Sequence, residues 1–301
     1  MGFILNPLYN IVSGIMIAIH KVLSPIFGAN SGVTWSLSIM GLVVLIRIIL
    51  IPLFVKQIKS QRAMTALQPQ MKAIQAKYKD DRQKQSEEMM KLYKEHKTNP
   101  LASCFPILAQ APVMFALFTV LNGIAHDKPH GFMKGEYLVS AAQAKFFGSP
   151  ISETFLGSDK LTVKIVTIFL IALMSATTFT TQKQLMTKGM PKMDASNNMM
   201  LQQQKIMLYL FPVIFAISGV NFPVGVLIYW STTNLWTWGQ QYYVIKRNPT
   251  PGSPAYEELQ RKRAHKAKLE GKEIEGIDQE NSAQPEVQGQ RQQPKKKKKK
   301  K

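Results

Sequence analysis

Arg47 stands between two apolar runs, LVVLI before it and IILIPLF after it, a position from which a guanidinium could attract an anion or the acidic part of another chain. An arginine inside hydrocarbon costs about 2.5–3.5 kcal/mol on insertion scales and over ~10 kcal/mol in simulations, unless water, a partner or snorkelling relieves it. Lys56 follows nine residues later. At ~1.5 Å per residue that is roughly 13 Å of helix, too far for full snorkelling. The ordinary partner would be an internal carboxylate, yet the apolar runs at 36–55, 104–125, 161–181, 206–220 and 224–244 contain no Asp or Glu. The choice is then between a hydrated, functional arginine and one that snorkels or bonds to carbonyls. Gln110, Ser175, Thr177, Thr178, Thr181, Ser231, Thr232 and Asn234 are the polar residues available to line a wet cavity with it. Ser and Thr also bond their own helix carbonyls, so each is weak support taken singly.

Other chemistry finds little footing. The sequence has no intramembrane Asp pair, HExxH, Walker loop or GxSxG elbow, so no enzymatic centre is expected. His126 and His130 have a helical metal-binding spacing, but Pro129 interrupts the helix and only two ligands are in view. No metal and no cofactor are expected. The single cysteine, Cys104, cannot form an intramolecular disulfide. Tyr229, Trp230, Trp236, Trp238, Tyr242 and Tyr243 read as a packing and interface-anchoring set.

The elements that position Arg47 are apolar runs of roughly 20 residues, the length a helix needs to cross ~30 Å of hydrocarbon. A formal charge of +20 in a soluble protein would suggest nucleic acid. Here its placement matters more. Lys and Arg number 11 in residues 56–104, four in 182–205 and 16 in 246–301, which marks these segments as cytoplasmic. The expected fold is therefore an all-α integral membrane protein with five transmembrane helices, N-out and C-in. Its core covers 36–245, with an outer loop at 126–160 that holds four basic and four acidic residues. Residues 1–35 read as an outer interfacial segment, retained and uncleaved, with an amphipathic helix over 3–27; a sixth span is the alternative.

Residues 56–103 are expected to form a cytoplasmic helical hairpin. Met64, Leu67, Met71, Ile74 and Tyr78 make one apolar seam, and Met89, Leu92, Tyr93 and His96 make another. Pro69 starts or kinks the first arm. The tail, 246–301, opens on a Pro-rich linker, has a helical candidate in EELQRKRAHKAKLE, and ends in Lys295, Lys296, Lys297, Lys298, Lys299, Lys300 and Lys301. Its composition points to disorder until bound, with ribosomal RNA or anionic lipid as the matching partner.

Several phrases, in order, resemble the YidC family of membrane protein insertases, relatives of the Oxa and Albino proteins of organelles. They are RIILIPL, LQPQMKAIQAKY, LYKEHKTNPLASCFPILAQAPVMFALF and FPVGVLIYWSTTNLWTWGQQ, within roughly 34–246. The resemblance implies a five-helix core with a hydrophilic groove open to the cytoplasm and lipid, and closed to the outside. It implies that Arg47 is the groove arginine, that Gln110 is its polar neighbour, and that an aromatic groove residue falls at Tyr229 or Trp230, with Trp230 preferred. It further implies nascent membrane proteins as substrates, the ribosome as a partner of the basic tail, the Sec translocon as a further partner, and the bacterial cell membrane as the location. The large outer domain of the long bacterial form is missing from the phrases matched, so the chain resembles the short type. Cys104 is misplaced for the lipid anchor that many short members carry.

Two other readings use the same residues. A transporter or channel would use Arg47 for an anion and calls for inverted repeats, and no repeat relates the first spans to the last. An assembly scaffold without insertion activity is the third.

Overall fold

The computed structural model describes residues 2–96, 98, 105–190 and 199–269, and they fold mainly into helices. α1 (Gly2–Phe27) and α2 (Gly32–Ile49) are joined by a tight turn in which Gly28 takes φ +88°, a conformation glycine reaches without a Cβ clash. Ser31 caps α2 by accepting the Val33 N–H. Buried His20 stacks on buried Trp35 with ring centroids 4.1 Å apart, which ties the two helices together.

α2 stops at Ile49, inside the run 36–55 that the sequence suggests is one span, and α3 (Ile51–Ala66) begins after Leu50. The cause is Pro52, which has no N–H for the Ile48 carbonyl and whose ring crowds it. α3 continues to α4 (Gln68–Lys77), where Pro69 occupies the first turn, the place where its missing donor costs least. Asp81 caps α5 (Arg82–Glu95) through the Lys84 N–H at 3.0 Å, and α4 and α5 pack on each other, with Tyr93 Oη 3.8 Å from Met71 Sδ.

Four long helices complete the core: α6 (Phe105–Ala125), α8 (Leu161–Gln184), α9 (Met199–Gly219) and α10 (Val224–Arg247). A π-helical turn, Leu185–Gly189, extends α8. α10 packs against α2, α6 and α8; α9 lies on α8, and α1 on α2 and α6. Trp35, Ile39, Leu42, Val163, Met174 and Leu227 are fully buried at these contacts.

One end of this bundle is capped. Between α6 and α8 the chain forms α7 (Glu136–Gln143) and the antiparallel strands β1 (Lys145–Phe146) and β2 (Ser149–Pro150). The Ser13 hydroxyl accepts the Phe132 N–H at 2.8 Å, and Trp35 Nε1 donates to Ser140 at 3.0 Å. Val224 and Gly225 donate their N–H groups to the carbonyls of Glu153 and Ile151 at 3.0 and 2.8 Å, which satisfies two of the donors that a helix N-terminus leaves open.

Among the described residues three helices are long and apolar enough to cross a membrane: Leu5–Phe27, Gly32–Ile49 and Leu161–Gly189. Gln110–Ala125 and Lys205–Gly219 are shorter apolar stretches. The first of the three is the segment the sequence suggests lies at the interface. α11 (Pro254–Leu269) begins within the compact unit formed by residues 1–256 and runs into a second unit, 257–301. The rest of that second unit, including the expected disorder and Lys295–Lys301, lies outside the described residues, as does Cys104.

Candidate functional site

Three helices meet around Arg47. Val43, Ile46 and Arg47 of α2, Gln110, Val113, Met114 and Leu117 of α6, and Tyr229 and Thr233 of α10 line one small cleft. The members of each set lie three, four or seven residues along their helix from the first, so each helix turns a single face to the cleft. Arg47 and Gln110 are half-buried, and Tyr229 is 4% exposed. Thr233, one turn on from Tyr229, lines the cleft beside it.

Arg47 forms no ion pair among the described residues, whose salt bridges Lys91–Glu88, Lys160–Glu153 and Lys262–Glu258 lie on other elements. Two features hold the charge in place of a carboxylate. It occupies the last turn of α2, where the helix dipole favours a cation by about 0.3–1 kcal/mol. Its guanidinium carbon also lies over the Phe54 ring, 5.5 Å from the centroid. Phe54 in turn lines a wider apolar cleft of about 640 Å³ between α3 and α10, together with Ile51, Val55, Ile58, Trp236 and Tyr243.

Trp230 is turned away from Arg47. One residue along a helix is a rotation of about 100°, and this carries it into an aromatic cluster with Phe118, Phe215 and Phe222 at 6.2, 6.3 and 4.7 Å. The other polar residues that the sequence offers for a groove line different contacts. Ser175 Oγ donates to the Pro212 carbonyl of α9 at 3.3 Å. Asn234 Nδ2 donates to Thr178 Oγ1 at 3.4 Å, a polar link between α8 and α10. Thr177, Thr181 and Thr232 donate to carbonyls of their own helices, and Ser231 is buried with no partner for its hydroxyl. Two residues of the site were missed by sequence reasoning. Thr233 was detectable as the residue one turn beyond Tyr229; Phe54, seven residues past Arg47, resembles any apolar residue of the run.

The two histidines with metal spacing go separate ways. His126 Nδ1 lies 2.8 Å from the Asn122 carbonyl, while the His130 ring packs 5.2 Å from Tyr9. Burial, and then the charge of Lys128, lowers the His130 pKa from its ordinary value. Among the described residues no group of three or more His, Cys, Asp or Glu side chains gathers as a metal site would require.

Residues 26–251 match the sequence model of the family described as the 60Kd inner membrane protein. A protein of Streptomyces avermitilis named membrane protein insertase YidC is 56% identical over 253 residues, covering 81% of this chain and 59% of that protein. One of the same name from Tropheryma whipplei is 37% identical, covering 86% of this chain and 89% of its own length. The chain thus spans between about three-fifths and nine-tenths of these relatives. Among solved structures, an active YidC insertase with its first transmembrane domain resolved is similar at a TM-score of 0.50 and 25% identity, over 77% of this chain and 46% of that one. The match over most of the chain, together with the apolar helices, shows that the protein belongs to the 60Kd inner membrane protein family, the family of the YidC insertases, and is a multi-pass protein of the bacterial cell membrane.

Proposed function

We propose that this protein inserts nascent membrane proteins into the bilayer, receiving their polar outer segments in the cleft around Arg47. The observation that carries the reading is that Arg47, Gln110 and Tyr229, from three helices, share one cleft in which, among the described residues, no carboxylate neutralises the arginine. The cap supports a groove closed on one side, since Tyr229 follows the capped N-terminus of α10 by five residues, roughly 8 Å of helix. With the cap outward and the α4–α5 hairpin in the cytoplasm, five helices span the membrane. α1 then lies at the outer interface. Its Ser13 bonds to Phe132 and its His20 meets Tyr137 at 6.0 Å, so contacts nearly two turns apart along α1 engage the same capping segment.

In this mechanism the acidic groups of an arriving segment are drawn to Arg47, and the apolar helix that follows leaves the cleft for lipid. No bond is made or broken, and no cofactor is consumed. The membrane potential assists acidic segments by about 2.3 kcal/mol per charge per 100 mV, because the exterior is positive. The basic tail ending in Lys295–Lys301 is assigned to the ribosome and to anionic lipid, and the Sec translocon is a further partner. The test is reconstitution of the purified protein into liposomes, scored by protease protection of a short inserted substrate. Protection no greater than in protein-free liposomes overturns the reading.

A further inference from the structure

We propose that Phe54 is a positioning residue for Arg47: its ring face holds the guanidinium at the small cleft between α2, α6 and α10 and separates it from the wider apolar cleft between α3 and α10. The geometry carries the assignment. The Arg47 guanidinium carbon lies 5.5 Å from the Phe54 centroid, within the ~6 Å over which a ring quadrupole attracts a cation. Arg47 forms no ion pair among the described residues, so no carboxylate directs its fork. Arg47 lines the small cleft between α2, α6 and α10, and Phe54 lines the wide one between α3 and α10. The contact between them therefore lies where the two cavities approach each other.

The backbone explains how two residues seven apart meet across a helix interruption. Pro52 ends α2 one residue before α3 starts, yet Leu50 stays in the right-handed helical region at φ −85°, ψ −3°. Its N–H still reaches the Ile46 carbonyl at 3.0 Å, and the Phe54 N–H reaches the Leu50 carbonyl at 3.1 Å. The face that carries Arg47 thus continues through the break to Phe54, two turns on. An aliphatic residue at 54 would fill similar space and leave the charge without this partner. The aromatic ring accordingly acts on the direction and exposure of Arg47, and the inference rests on the proposed role of Arg47 only where insertion is the readout.

The experiment replaces Phe54 by its 4-fluoro and 3,4,5-trifluoro analogues, which weaken the ring quadrupole progressively with little change of shape, and by Tyr and Leu. In purified full-length protein the rate of Arg47 modification by phenylglyoxal is read by peptide mass spectrometry, with Arg247 as internal reference. The expected result is a rate that climbs with fluorine number, reaches about threefold or more in Phe54→Leu, and stays at the parent value in Phe54→Tyr, while Arg247 is constant. Equal Arg47 rates across the fluorine series overturn the proposal, because shape alone would then account for the contact. Insertion of substrates with acidic outer segments is measured on the same variants. If Arg47 reactivity follows the fluorine series and insertion does not, the positioning contact stands and the proposed attraction of acidic substrates falls.

Discussion

Gly32, in the first turn of α2, lies so close to Lys145 that a Cβ at position 32 would sit 1.8 Å from the Lys145 carbonyl oxygen. The hairpin of the cap and the start of α2 can approach this far only because glycine has no side chain. Gly32→Ala should force the two apart and destabilise the protein by about 1–3 kcal/mol, the usual cost of overpacking. Gly239, by contrast, has nothing within 4 Å of an added Cβ, and Gly239→Ala should stabilise α10 by about 0.5–1 kcal/mol. Unfolding midpoints of the two variants in one detergent at one scan rate should move in opposite directions.

Arg47 is expected to act through its charge. Arg47→Lys should keep much of the insertion activity, whereas Arg47→Ala should lose it most for substrates with acidic outer segments. A reduction of about tenfold needs only ~1.4 kcal/mol, and one charge pair 4 Å apart at an effective dielectric of ~20 is worth ~4 kcal/mol. Insertion of a charge-varied substrate series is compared at matched protein levels. Uniform loss across neutral and acidic substrates would mean that Arg47 supports the fold, through the end of α2, and not the substrate.

The orientation can be read with single cysteines after Cys104→Ser. Ser149 is fully buried within the cap and unsuitable for labelling; Leu156, 67% exposed in the same segment, is the site to use. Leu156→Cys should react with an impermeant maleimide added to intact cells, and Ser86→Cys, exposed on α5, should react only after lysis. The reverse pattern would invert the proposed topology.

The cap should loosen in acid. Burial favours the neutral form of the Glu153 carboxyl, but hydrogen bonds from Lys160 at 2.5 Å and Ser158 at 2.5 Å outweigh it and leave its pKa below the ordinary value. A group with a depressed folded pKa stabilises the fold above its unfolded value, about 4.3, and loses that contribution as pH falls through the folded value. The partly exposed Lys160 limits the size of the effect. Unfolding midpoints between pH 3 and 7 should fall more steeply below about pH 4.3 in the parent than in Glu153→Gln. Parallel curves would show that this carboxylate does not hold the cap.

Removal of residues 270–301 should weaken ribosome co-sedimentation in neutral detergent, and the part that is lost should be the salt-sensitive part. Counterion release from seven consecutive lysines, Lys295–Lys301, gives the steep salt dependence expected of this contact. Unchanged binding at low salt would remove the tail from the ribosome contact.

By itself the sequence determined the class of the molecule and its unusual residue. Apolar runs of membrane length, the interrupting prolines and an arginine with no acid in any run are properties of the chain read locally, because helix length, proline chemistry and charge placement need no knowledge of neighbours. Only the tertiary structure decided which polar side chains share the arginine's cleft. Tyr229 and Trp230 are adjacent and both aromatic, and the rotation of α10 against α2, α6 and α9 sends the first to Arg47 and the second to Phe118, Phe215 and Phe222. The same rotation commits Asn234 to Thr178 on α8. The cap was equally hidden, since its hydrogen bonds to α1, α2 and α10 join residues up to 119 positions apart, and no local pattern carries that register. Phe54 shows the same limit: an apolar residue in an apolar run signals nothing until the helix break at Leu50 is seen to keep it on the face of Arg47.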